Sequence, residues 1–115
     1  TARRKIELYP AAIGRLLPTT TPLMNALGDA GGSDPRCRTM WEAINGRRAA
    51  NMLLFAADLR ATGELRDDLT DHQVAQLVWS MNSPEFFGLH AARGTTPDEF
   101  GALLADVWTR TLLAG

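Results

Sequence analysis

The stretch "VWSMNSPEFF", residues 78–87, decides how this chain is read. An apolar helical run meets Ser80, Asn82 and Ser83, then Pro84, and turns aromatic at once with Phe86 and Phe87. Proline has no N–H to give the carbonyl of Ser80, so one unbroken helix cannot pass through. Ser83 can cap a restart, with Pro84 in the first turn and Glu85 next, a favourable helix opening. The stretch therefore reads as a short break or kink between helical pieces, not a long loop. It re-aims Phe86–Phe87 relative to Trp79 and leaves Asn82 at the bend.

Helix signals continue on both sides. Before the break, "TDHQVAQLVWSM" opens on a capping box, Thr70 with Gln73, and carries Val74, Leu77, Val78 and Met81 as its apolar stripe. After it, "TPDE" offers Thr96 as cap, Pro97 next and Glu99 closing a second box. The last helix has Phe100, Leu103, Leu104, Val107 and Thr111 on one face, with Gly101, Ala105, Trp108 and Leu112 beside it. Apolar residues cover more than half its circumference, wider than the usual stripe of roughly 100°. One face inside and one against another chain accounts for that width; burial at the centre of a monomer is the alternative. Gly101 and Ala105, four apart, would let a partner helix come close.

The longest helix is expected to start at Ser33 or Asp34, with Pro35 as opener, and to end at Gly63. Cys37, Trp41, Ile44, Arg48, Met52, Phe55 and Leu59 share one face, and Arg48 is the polar exception. Further upstream, Ile6, Tyr9, Ile13, Leu16 and Leu17 have helical spacing, with Pro10 as a kink or a late start. Pro18 and the threonines after it should break that helix. Thr21 as cap and Pro22 at the first position would begin another, stopped by the glycines at 31 and 32. Strand signals are nearly absent. The expected fold is all-α, a bundle of five to six helices in one domain spanning 1–115.

Composition narrows the function. The 115 residues carry a net charge of −1, which argues against this piece alone gripping a polyphosphate. Cys37 is the single cysteine, so no internal disulfide can form, in keeping with a reducing cytoplasm. No apolar run reaches the roughly 18 residues of a membrane span. The chain opens on Thr1 instead of methionine, and a preceding segment is expected.

Catalytic sets are hard to find. His72 and His90 form no metal-spaced cluster with Cys37, and each suits a solvated or structural role. "GDAGG" lacks the strand before it and the lysine after it that make a phosphate loop. The serines at 33, 80 and 83 have no base partner. The paired carboxylates, Asp67–Asp68 and Asp98–Glu99, sit at helix starts, where they favour the helix dipole. Neither enzyme activity nor a cofactor is expected. Met24, Trp41, Met52, Phe55, Trp79 and Phe86 instead suit an apolar pocket, with Arg48 and Asn82 as its few polar groups.

The order "GELRDDLT" (63–70), "LVWSMNSPE" (77–85) and "RGTTPDEFGALLADVWTRTLL" (93–113) resembles the C-terminal regulatory domain of the tetracycline-repressor (TetR) family of bacterial transcription regulators. "YPAAIGRLLPTTTPLMNALGDAGGSDPRCRTMW" (9–41) fits its middle helices leading into a long one. The resemblance implies a small-molecule sensing domain that dimerises through its last two helices, as a four-helix bundle across a two-fold axis. The two-faced terminal helix agrees with this independently. Phe87, Phe100, Leu104, Val107, Trp108 and Thr111 are the expected interface. For a small hydrophobic or aromatic effector, the pocket would comprise Met24, Trp41, Arg48, Met52, Phe55, Trp79, Asn82 and Phe86. The family's N-terminal helix-turn-helix is absent here, so operator DNA would be met only through it, and effector binding would release DNA in the parent. The competing expectation is a helical dimerisation module that binds no ligand, with Trp79 and Asn82 fully occupied by their neighbours.

Overall fold

The computed structural model describes all 115 residues as five helices: α1 Ala2–Ala30, α2 Pro35–Ala61, α3 Asp71–Met81, α4 Pro84–Ala91 and α5 Pro97–Leu112. The caps stand where the side chains dictate. Asp34 accepts from Arg36 N–H, and the Thr70/Gln73 and Thr96/Glu99 boxes are both closed. Ser83 Oγ accepts from Phe86 N–H, so the break between α3 and α4 spans only Asn82 and Ser83. Gly63, at φ 76°, turns the chain out of α2 in the left-handed region that side chains with a Cβ avoid. No helix is long and apolar enough to cross a membrane.

The N-terminal region differs from expectation. Pro18 does not break it and Thr21 is not a cap: α1 runs through Pro10, Pro18 and Pro22 as one helix. Each proline removes one backbone bond, a local penalty of about 3 kcal/mol. Packing overrides it. Ala2, Ile6, Pro10, Gly14, Leu17 and Thr21 are all buried and follow one another at three- and four-residue steps. The part of that stripe around Pro10 and Gly14 lies on α5, and the fit is close because both helices bring glycine to the crossing. A Cβ on Gly14 would stand 2.6 Å from the carbonyl oxygen of Pro97, and one on Gly101 3.0 Å from that of Pro10.

The core gathers Ile6 of α1, Leu59 of α2, Val74 and Val78 of α3, and Phe100, Leu104, Trp108 and Leu112 of α5, all essentially inaccessible. Phe87 of α4 meets Phe100 edge-on at 5.1 Å. Phe87, Phe100, Leu104 and Trp108 therefore pack the chain's own interior, which corrects their expected outward-facing role. Gly101 likewise admits α1 of the same chain, not a partner helix. Val107 and Thr111 stay half-exposed.

The loop from 62 to 70 is a clasp. Arg60 donates to Asp71 Oδ1 at 3.0 Å, to the carbonyl of Arg66 at 3.1 Å, and to that of Leu69. Leu65 pairs with Leu113 in an isolated antiparallel bridge, through Arg66 N–H to Leu112 O and Ala114 N–H to Glu64 O, each 2.9 Å. The Glu64 carboxylate also accepts from Ala2 N–H at 3.2 Å. One loop thus holds the first turn of α1 and the last residues of the chain.

Candidate functional site

A cleft of about 270 Å³ opens where α1 crosses α2 beside the α3–α4 break. Its α1 wall is Tyr9, Ile13, Leu16, Leu17, Thr20 and Met24, one stripe that exists only because the helix continues through Pro18. Ile44, Arg48, Asn51 and Met52 of α2 form the facing wall, and Asn82 and Pro84 close the end.

Arg48 is the sole charged residue lining it. Its Nη2 donates to Asn82 Oδ1 at 2.6 Å and to the carbonyl of Trp79 at 3.1 Å, and its Nη1 donates to Asn45 Oδ1 at 3.3 Å. The guanidinium lies 5.5 Å from the centre of the Trp79 ring, within cation–π range. Asn82 is buried, and its amide nitrogen donates to Tyr9 Oη at 3.3 Å and contacts Met52 Sδ at 3.2 Å. Every member of this chain of bonds is neutral except Arg48. Burial pulls the Arg48 pKa below its ordinary value, with the more distant Glu85 carboxylate acting in the opposite direction. The group nonetheless stays protonated, as arginine does in proteins. Burial also raises the Tyr9 phenol, against smaller opposing effects of Arg48 and Asn82, so it is neutral near pH 7.

Of the residues expected in a pocket, Met24, Arg48, Met52 and Asn82 do line this cleft. Trp41 and Trp79 line a second, more open recess of about 440 Å³ with Glu42, Asn45 and Glu85. Phe55 packs half-buried against the core instead, 4.7 Å from the Tyr9 ring and 6.3 Å from Trp108. Phe86 stacks between His90 at 4.8 Å and Phe100 at 5.9 Å, on the side where α4 meets α5. These two depart from the expected site because the break turns α4 toward α5 and because α1 covers Phe55. Sequence reasoning missed Tyr9, Ile13, Leu16, Leu17 and Thr20 as lining residues. Their 3–4 spacing into Met24 was readable, but dividing the helix at Pro18 cut the stripe in two.

No group of three or more metal-ligating side chains comes together. Two buried polar atoms have no hydrogen-bond partner, Thr21 Oγ1 and the Trp79 indole Nε1. Comparison with protein-family models, curated proteins and solved structures finds no match to this chain.

Proposed function

We propose that this chain is the effector-sensing and dimerising domain of a TetR-like transcription regulator. A small hydrophobic or aromatic molecule in the α1–α2 cleft would release operator DNA held by a separate N-terminal domain in the cytoplasm. The observation that carries the reading is the cleft itself. It is apolar, joined to a helix break, and provided with one charged residue and a few polar ones, the usual make-up of a small-molecule site. A ligand wedged between α1 and α2 would bias the tilt of α1, which is locked to α5 through the Gly14–Gly101 crossing. Coupling of this kind is typically about 1–3 kcal/mol.

Dimerisation is supported by shape. A radius of gyration of 15.0 Å exceeds the roughly 13 Å of a compact domain this long. The accessible surface of 6946 Å² exceeds the roughly 6,200 Å² of a monomer of this mass. On α5, Leu103, Val107 and Thr111 remain half-exposed at four-residue intervals, and on α3 so do Leu77 and Met81. The α5 face, with α4, would build the four-helix seam about a two-fold axis, and the α3 residues would flank it. Sedimentation equilibrium should give a dimer, and Val107→Glu a monomer that keeps its helical circular dichroism. A wild-type monomer at hundreds of micromolar would defeat this part.

A second reading, a helical interaction module that binds no ligand, is favoured by one fact: Asn82 is already taken up by Arg48, Tyr9 and Met52. A small-molecule screen in which nothing raises the melting temperature of the dimer would select it.

A further inference from the structure

Two titratable side chains line the cleft, Tyr9 and Arg48, and the first is neutral. The wall therefore carries one positive charge and no negative one. Three of the five guanidinium N–H groups bond to neutral oxygens, those of Asn82, Trp79 and Asn45. No carboxylate approaches within the 4.0 Å of an ion pair, although six other arginines in the chain have such a partner. The acid that most affects Arg48 electrostatically, Glu85, lines the second recess. A half-buried cation without a counter-ion is costly to keep out of water, and a carboxylate would satisfy it with short, charge-assisted hydrogen bonds. Asn82 and the Trp79 carbonyl and ring fix where that cation sits before any ligand arrives.

The rest of the wall is hydrocarbon: Ile13, Leu16, Leu17 and Met24 on α1, and Ile44 on α2. Leu16 is 58% exposed at the rim, an apolar area that a ligand tail would cover. With one cation and no second base among the lining residues, a dianion such as a phosphate monoester would leave a charge unpaired. We propose that the cleft binds a hydrophobic monocarboxylate, its head group on Arg48 and its tail laid along α1. This rests on the cleft being the effector site, and it names the chemical class of the effector.

Octanoate, octanol and octylammonium share a tail and differ in the head, so calorimetric titration of the full chain with each isolates the charge. Amide chemical shifts at Tyr9, Arg48 and Asn82 report whether binding is in the cleft. Octanoate should perturb those residues and bind at least tenfold tighter than octanol, and octylammonium should not bind. Arg48→Met should bring octanoate down to the octanol level, while Arg48→Lys should retain most of the preference. Octanol binding in the cleft as tightly as octanoate would overturn the carboxylate assignment and leave the sensing cleft standing. Failure of all three to perturb the cleft would overturn both. The wild-type series decides the matter even if Arg48→Met does not fold.

Discussion

The Oδ1 atom of Asn82 lies 2.6 Å from Nη2 of Arg48, joining the middle of α2 to the α3–α4 break across 34 residues of sequence. Asn82 thereby orients the one charged group of the cleft and is a positioning residue more than a ligand contact. Its buried amide nitrogen ties the same junction to Tyr9 and Met52.

Asn82→Ala should destabilise the chain by about 1.5–3 kcal/mol, because it takes a close acceptor from a half-buried guanidinium. Urea unfolding measures the loss. Combined with Arg48→Met, the two costs should fall short of additivity by at least 0.5 kcal/mol, roughly the smallest coupling expected of bonded neighbours. Full additivity would show that the bond contributes nothing.

Three glycines should answer alanine in opposite ways. Gly14→Ala and Gly101→Ala place a Cβ against backbone carbonyls and should each cost about 1–3 kcal/mol. Gly46, within α2, has open space around its Cβ position. Gly46→Ala should therefore stabilise by about 0.5–1 kcal/mol through helix propensity. Thermal melts of the three variants would check both signs at once.

Arg60→Met should cost about 1.5–3 kcal/mol, since two loop carbonyls and Asp71 lose their donor. Hydrogen exchange should quicken across residues 62–70 before the α1–α5 core is affected. Uniform loosening of the whole chain would show that the clasp has no separate stability.

Stability should decline on acidification. Backbone N–H donation holds the carboxyls of Asp34, from Arg36, and Glu99, from Thr96, below the usual range, and the Arg66 side chain does the same for Asp68. Each binds its proton more weakly in the folded chain than in the unfolded one. Their contribution is thus complete above the unfolded range of about pH 4 and is lost as pH falls through the lower folded values. The triple variant Asp34→Asn, Asp68→Asn, Glu99→Gln should show a shallower fall of melting temperature between about pH 4 and 2. An unchanged slope would place the acid sensitivity elsewhere.

The caps and breaks were legible in sequence because each is a local event. Ser83 with Pro84, Thr70 with Gln73 and Thr96 with Glu99 commit their own backbone within four residues. The continuity of α1 was not legible. Its buried stripe includes Pro10, Gly14 and Thr21, residues that no hydrophobic pattern counts and that propensity penalises. They fit because α5 brings Gly101 to the same crossing, a match between positions 87 residues apart that no local window contains. The cleft inherited that error: Asn82 and, on α2, Arg48 and Met52 were foreseen, Ile44 and Asn51 were not, and of the α1 wall only Met24 was. The wide apolar girth of α5 was legible, but its division was not: Phe100 packs on Phe86 and Phe87 of α4, and Trp108 on Tyr9 of α1 and Phe55 of α2.

Glu64 receives both Ala2 and Ala114, so the two ends of this chain rest on a single residue. Such proximity makes the order of the helices rearrangeable. A circular permutant that joins Gly115 to Thr1 through a short glycine–serine linker, and opens at the Gly32–Ser33 turn, should fold with the same α1–α5 crossing. Cutting at the turn would then free the far ends of α1 and α2 to part, turning the cleft into a hinge whose opening could be read by a fluorophore pair.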